Sequence, residues 1–378
     1  MNAAALALAE RIVARADRAH PADDLLRSEL KAQRGLSRDQ AREASAAVFA
    51  CFRWRGWLDL QSPLREQLQQ GLALAARFHR HPASFSDAEL MARALPPWVF
   101  DEMEVTAPLA RALQAEPILW LRARPGQGPA LAAKLKGASV WGQGPLADIL
   151  KYTGSEDLFR MREFHAGEFE LQDITSQAVG LACGAAPGQT WWDVCAGEGG
   201  KTLHLSDLMA NRGLIWASDR AAWRLQRLKR RAARARVFNY RAVEWDGGER
   251  LPTRTLFDGV LVDAPCSGIG TWHRNPHARW TTTAQDVREL SQLQRTLLAR
   301  CAKAVKPGGK LIYAVCTLTR AETAEVADRF ERECVNFEPL PVPHPLKPGT
   351  GEAAPRHQLL PQDFGGNGMF IAGWRRKA

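Results

Sequence analysis

From about residue 173 onward the chain alternates short apolar strands with helical segments. No other feature limits its fold as much. Strands are expected at 190–194, 214–217, 257–262 and 310–315. Helices are expected from about 202, over 220–236 and from about 283. This alternation builds a parallel sheet covered on both faces. Ligands of such open sheets bind at the carboxyl ends of the strands. The informative loops are therefore those following Val194, Ala217, Val262 and Val315.

The first loop reads Asp193-Val-Cys-Ala-Gly-Glu-Gly-Gly-Lys-Thr202 and opens a helix. Its glycines let backbone approach a ligand, and a helix N-terminus favours negative groups. The spacing is not that of a P-loop, so a nucleotide-like cofactor is expected rather than a nucleoside triphosphate. Asp219 ends the next strand, where an acid binds ribose hydroxyls or caps the following helix. Asp263-Ala-Pro-Cys-Ser-Gly-Ile-Gly270 follows the third strand and holds Asp263 and Cys266 at its end. Cys316 ends the fourth strand, in Leu311-Ile-Tyr-Ala-Val-Cys-Thr317. Two thiols on one sheet edge serve a redox pair, nucleophilic chemistry or neither, and spacing does not choose.

The remainder of the chain sets limits. At 378 residues it holds two or three domains with a proper core. The first 80 or so residues read as helical, with capping-box patterns at Ser37-Arg-Asp-Gln40 and Ser86-Asp-Ala-Glu89. A small mixed α/β patch follows from about 118. The seven cysteines are scattered without a Cys-x-x-Cys pair, so neither disulfides nor a zinc site is expected, and a reducing compartment is. The apolar run from Ala3 to Ala9 meets Glu10 and Arg11 at once and reads as helix rather than as a signal peptide. No membrane span or membrane partner is expected. The formal charge of +10 suits a polyanionic partner.

Taken together, the four loops resemble the RsmB-type (NOL/NOP/Sun) family of RNA cytosine-5 methyltransferases. The Asp-x-Cys-Ala-x-x-Gly-Gly-Lys-Thr, Asp-Ala-Pro-Cys-Ser-Gly and Tyr-Ala-x-Cys blocks stand in the family's order. Gln172-Asp173, Ser176-Gln177, Leu359-Leu-Pro361 and Gly368-Met-Phe370 resemble it as well. The resemblance runs from about Leu95 to the end. It implies a class I S-adenosylmethionine-dependent methyltransferase of α/β, Rossmann-like fold, with a mostly parallel seven-stranded sheet over 173–378. A small α+β, RRM-like subdomain over 93–172 is expected ahead of it. A helical NusB-like, RNA-binding domain is expected over 1–92, its likeness carried by Ala41 to Trp57 with Phe52-Arg53-Trp54.

The resemblance also implies roles. Cys195, Ala196, Gly197, Glu198, Gly199, Gly200 and Lys201 surround the methionine end of the cofactor. Asp219 holds its ribose with Arg224 close behind, Asp246 sits near the adenine, and Asp263 near the reacting centre. Cys316 is the nucleophile, and Cys266 assists product release. The chemistry explains the need for both thiols. Carbon 5 of cytosine is a poor nucleophile, and thiolate addition at carbon 6 makes the ring enamine-like. A protonated Asp263, raised by desolvation, then polarises N3 or the exocyclic amine, and Lys201 activates a thiol or contacts the base. The implied partner is RNA, ribosomal by analogy with the RsmB branch, and the implied protein is a cytoplasmic monomer without metal. A tRNA substrate, or an RNA-binding assembly factor weak in catalysis, is the alternative.

Some positions depart from the family pattern. Glu198 stands where proline is usual and puts a carboxylate near the expected methionine carboxylate. His273 replaces an arginine. Val315, Thr317 and Thr323 replace threonine, serine and asparagine around the nucleophile. Among the basic residues, Arg274, His277, Arg279 and Trp280 are the candidate RNA contacts, as cations interleaved with aromatics. Arg220, Arg224, Arg227, Arg231 and Arg234 recur at helical spacing and read first as a solvated outer face. The final Arg375-Arg-Lys377 reads as a solvated tail.

Overall fold

The structure is a computed structural model that describes residues 1–33, 35–351 and 353–378. The chain divides into two compact units. One holds residues 1–117, 268–286 and 361–365; the other holds 118–267, 287–360 and 366–378.

The first unit is built from helices α1 (Ala3–Arg15), α2 (Ala22–Ala32), α3 (Arg38–Arg53), α4 (Leu64–Arg80), α5 (Asp87–Arg93), α6 (Val99–Glu102) and α7 (Ala107–Gln114). The capping box at Ser37 forms as expected, with Gln40 N donating to Ser37 Oγ and Ser37 N to Gln40 Oε1. Apolar residues at helical spacing, including Leu8, Ile12, Val48, Phe52 and Leu68, make the core. The helical unit runs further than residue 92. Thr106 caps α7, which buries Leu109, Ala110 and Leu113. Arg111 binds the carbonyls of Pro82 and Phe85 and the carboxylate of Asp87. These bonds hold α7 to the helices before it, so the unit reaches Pro117. Leu95-Pro96-Pro97 only separates α5 from α6.

The second unit begins with an antiparallel sheet of β1 (Leu119–Ala123), β2 (Ala138–Val140), β3 (Ile149–Tyr152) and β4 (Phe169–Leu171), in the order β2-β3-β1-β4. Helices α8 (Gly128–Lys134) and α9 (Arg162–His165) accompany it. Leu121, Leu131, Leu150, Phe164 and Phe169 form its core.

The main sheet contains β5 (Thr190–Asp193), β6 (Leu214–Asp219), β7 (Tyr240–Glu244), β8 (Phe257–Asp263), β9 (Val305–Val315) and β10 (Phe337–Pro339). After a separate pair, β11 (Val342–Pro343) and β12 (Ala353–Ala354), come β13 (Arg356–Leu359) and β14 (Met369–Arg376). The order is β10-β14-β9-β8-β5-β6-β7, with β13 also on β14. Strands β9, β8, β5, β6 and β7 are mutually parallel; β14 runs antiparallel to β9, and β10 and β13 each pair antiparallel with β14. The sheet is mostly parallel, as expected, but has eight strands rather than seven.

The eighth strand and the C-terminal residues correct one expectation. Arg375 and Arg376 are not a solvated tail. They end β14, where Arg376 donates to the Val305 carbonyl at 2.6 Å. Phe370, Ala372 and Trp374 of the strand pack into the main core with Trp192, Val260, Leu311 and Tyr313. Helices α10 (Ile174–Cys183), α11 (Gly200–Leu208) and α12 (Ala222–Arg234) complete the layers with the helices Ala284–Ala302 and Ala324–Glu333. Leu225, Leu228 and Ala232 turn the apolar stripe of α12 inward.

Candidate active site

The five parallel strands bring the sequence motifs to one edge in a fixed order. Cys316 follows β9, Asp263 and Cys266 end β8, and Cys195 to Lys201 follow β5. Asp219 ends β6 and Asp246 lies just beyond β7. The register dictates this order, because β8 lies between β9 and β5, and β6 between β5 and β7.

The loop after β5 is a backbone cradle. Gly197 and Gly199 adopt φ of +56° and +85°, a region that costs other residues strain. A Cβ at Gly199 would meet Leu228 Cγ at 2.6 Å, whereas one at Gly197 would meet open space. Gly199 is thus demanded by packing of α12, and Gly197 leaves room above the loop. Asp219 fixes the cradle from the next strand. Its carboxylate accepts from Gly197 N at 3.0 Å and Ala221 N at 2.8 Å, and Arg224 lies 3.8 Å away. Asp193, buried beneath, accepts from Thr202 Oγ1 at 2.6 Å. Burial pushes its carboxyl up to about 7 against that bond. Gln172 donates to the Gly200 carbonyl at 3.3 Å and accepts from Arg122 Nε at 2.6 Å. Asp246 is exposed and accepts from Gly248 N at 2.8 Å.

Two close pairs mark the reactive end. Lys201 Nζ lies 2.6 Å from Asp263 Oδ2. Burial opposes the Lys201 charge, but the Asp263 carboxylate outweighs it and holds the ammonium above its ordinary value. Lys201 and Asp263 thus form an ion pair at the reactive end. The Cys266 and Cys316 sulfurs lie 3.3 Å apart, and both residues are partly exposed. The hydrogen bond between the thiols, aided by the Lys201 charge, favours the Cys316 thiolate against burial and Asp263, which disfavour it. By contrast, burial raises the thiols of Cys195, Cys183 and Cys301. None of the seven cysteines is in a disulfide.

The family described as 16S rRNA methyltransferase RsmB/F matches residues 181–375, which contain both thiols, the cradle and Lys201. The chain belongs to the RsmB/F family. A ribosomal RNA small subunit methyltransferase B of Xylella fastidiosa is 30% identical over 349 residues, covering 87% of this chain and 77% of that one. A probable ribosomal RNA small subunit methyltransferase B of Synechocystis is 36% identical over 220 residues. That match covers 56% of this chain and 49% of the relative, so the chain spans about half of that protein. Among solved structures, PH0851 superimposes with a TM-score of 0.79 at 22% identity, covering 100% of this chain and 99% of that one.

One departure from the RsmB/F pattern finds its physical meaning here. Glu198 does not stand as a bare carboxylate beside the cradle, because it is ion-paired with Arg227. Arg231 donates to the Glu198 carbonyl at 3.1 Å. The α12 guanidiniums are more engaged than a plain solvated face would be: Arg231 and Arg234 hold Glu170 at 2.9 and 2.6 Å.

Most of the candidate RNA contacts are redirected. Within the helical unit, Arg279 is 0% exposed. Its guanidinium donates to the carbonyls of Arg53, Ala94 and Leu113 at 3.3, 2.9 and 2.8 Å. Trp280 Nε1 donates to the Phe52 carbonyl at 2.6 Å, and the buried His277 ring packs edge-on to Phe52. His273 is buried too, and burial drives its imidazole down to about 3. Thus Arg279, His277 and Trp280 fasten residues 268–286 to the helices, and only Arg274 stays exposed. A guanidinium that is fully buried with both terminal nitrogens on carbonyls is not presented to a phosphate.

The residues that sequence reading missed are polar ones behind the thiols, Glu322 and Gln294; Ser267 entered only as part of its motif and Thr317 only as a departure from the family pattern. Glu322 accepts from Ser267 N at 2.8 Å and from Thr317 Oγ1 at 3.1 Å. The only local signal was the motif that places Glu322 shortly after Cys316. Among the described residues, no group of three or more His, Cys, Asp or Glu is arranged to hold a metal ion. Nor is any described helix long and apolar enough to cross a membrane.

Proposed function

We propose that this chain is an S-adenosylmethionine-dependent RNA cytosine-5 methyltransferase acting on small-subunit ribosomal RNA through a covalent bond from Cys316 to carbon 6. One observation carries the reading: two thiols 3.3 Å apart beside a Lys201–Asp263 ion pair of 2.6 Å, on the sheet edge that also bears the glycine cradle. An amine or oxygen methyltransferase needs no such pair of thiols. The ribosomal substrate is supported by the names of the relatives above.

The cradle suits the cofactor. Gly197 N lies over Asp219, whose carboxylate suits ribose hydroxyls, and a Cβ at Gly197 would meet nothing within 4 Å. When bound there, S-adenosylmethionine supplies an electrophilic methyl group. The remaining work falls to side chains. Cys316, held toward its thiolate, adds to carbon 6 and drives electron density to carbon 5. Lys201 offers a buried ammonium to the pyrimidine, and Asp263 accepts from its exocyclic amine while keeping Lys201 charged. After methylation the carbon 5 proton leaves and the bond from carbon 6 to the Cys316 sulfur breaks. Cys266 is the neighbouring group for that elimination. The target base is unpaired or flipped to reach the thiols.

The test is transfer of tritium from labelled cofactor to 16S ribosomal RNA by the purified chain, followed by bisulfite sequencing of the product. Label in 5-methylcytosine supports the reading. Label in any other nucleoside, or label that survives Cys316→Ser, overturns it.

A further inference from the structure

Glu322 is a buried carboxylate that the chemistry above does not use. It is 0% exposed and ends a single turn, Arg320–Glu322, shortly after Cys316. No cation pairs with it among the described residues; it is held by donors alone. Oε1 accepts from Ser267 N at 2.8 Å and Gln294 Nε2 at 2.9 Å. Oε2 accepts from the hydroxyls of Ser267, of Thr317 at 3.1 Å and of Thr319 at 3.0 Å. The Ser267 and Thr317 hydroxyls also meet each other at 2.9 Å. Gln294 in turn donates to the Pro265 carbonyl at 2.9 Å, on the other side of Cys266.

The pattern is specific. Ser267 directly follows Cys266, and Thr317 directly follows Cys316. One carboxylate therefore ties together the two loops that carry the thiols. Burying a carboxylate without a cation is costly unless every lone pair is met, and here five donors meet it. Apolar side chains would fill the space at lower cost, but they would leave the Cys266 and Cys316 loops joined only by the Ser267–Thr317 hydroxyl contact and the thiols themselves.

We propose that Glu322 is a positioning residue that sets the separation of the Cys266 and Cys316 sulfurs, and through it the balance between forming and releasing the covalent RNA adduct. The inference rests on the roles given to the two thiols under Proposed function. It acts through hydrogen bonds rather than charge. The Oε1 partners are fixed N–H donors, whereas the Oε2 partners are hydroxyls that rotate to accept. A glutamine keeps a carbonyl toward Ser267 N and turns its amide to those hydroxyls. Glu322→Gln is therefore the conservative rescue, and Glu322→Ala the disruption.

Two readouts test it on the full chain. The first needs no RNA. Diamide, a two-electron thiol oxidant, joins the two sulfurs into a disulfide while it is itself reduced to the hydrazine, and peptide mapping measures the rate. Glu322→Ala should slow formation of the Cys266–Cys316 disulfide about tenfold, and Glu322→Gln should stay within about threefold of the parent. An unchanged rate in Glu322→Ala overturns the inference, whatever the enzyme methylates. The second readout is the adduct on a denaturing gel with 16S ribosomal RNA. Glu322→Ala should lower turnover about 10- to 100-fold and raise the fraction of enzyme held as adduct, toward the level of Cys266→Ala. Equal loss of turnover and adduct overturns it. If Cys266→Ala itself holds no adduct, the thiol roles fail, while the disulfide rates still judge Glu322. Should Glu322→Ala not fold, Ser267→Ala replaces it; an adduct fraction and disulfide rate equal to the parent then overturn the inference.

Discussion

Residues 263–267 and 272–280 lie almost side by side in the chain, and both carry residues that invite a functional reading. They meet opposite fates. Asp263 and Cys266 stay at the end of β8, partly exposed, each within bonding distance of a reactive partner from another strand end. Arg279, His277 and Trp280 instead turn into the helical unit and spend their donors and rings on Arg53, Phe52, Ala94 and Leu113. Backbone separates them. A strand that runs into a Pro-Cys-Ser-Gly turn has one direction in which to present its last side chains. A basic, aromatic stretch has no such constraint, and packing decides where it points.

The sharpest test of this contrast is at the thiols. Cys316→Ala should abolish adduct and lower turnover on the order of 10³-fold or more, whereas Cys266→Ala should accumulate adduct on a denaturing gel. Adduct from Cys316→Ala would reverse the two roles.

Next in size is the ion pair. Asp263→Asn should lower kcat/KM about 10²-fold, because Lys201 loses the charge that holds its ammonium above its ordinary value. Single-turnover rates near the parent would reduce the pair to scaffolding.

Arg279 probes the other segment. Arg279→Met leaves several buried carbonyls unbonded and should cost roughly 2–4 kcal/mol in denaturant unfolding. The KM for RNA in the folded protein should stay within about twofold. A large rise in that KM at unchanged stability would restore Arg279 as an RNA contact.

A smaller effect lies in pH. The neighbouring thiol favours ionised Cys316, so alkylation of Cys316 should rise at lower pH than for an ordinary thiol, near about 8.5. Losing that donor in Cys266→Ala leaves Lys201 to act against burial and Asp263, and the midpoint should move upward. Mass spectrometry by site supplies the internal standard, since Cys183, Cys195 and Cys301 are held toward the thiol and should stay unlabelled. A midpoint that does not move would deny the bond between the sulfurs any electrostatic role.

The least effect is expected from Glu198→Ala. Arg227 already balances that carboxylate, so cofactor affinity measured by calorimetry should change less than about threefold.

The sequence alone determined the layering of the catalytic part and the order of its strand-end motifs. Both follow from local patterns: apolar runs, glycines that need positive φ, and helices opening directly after strands. Even so, β14 escaped detection. Its residues follow a glycine-rich stretch, and only pairing with β9, β10 and β13 shows that Arg375 and Arg376 belong to a strand. The extent of the helical unit escaped as well, since the bonds from Arg111 and Arg279 that define it span many residues.

What only the tertiary structure decided is where each charge found its partner. Arg279 met carbonyls, Glu198 met Arg227, Asp263 met Lys201, and Glu322 met the loops of both thiols. A side chain's identity declares what it can donate or accept. Whether that capacity is used inside the protein or left for a ligand depends on groups brought close by folding, and no local spacing encodes them.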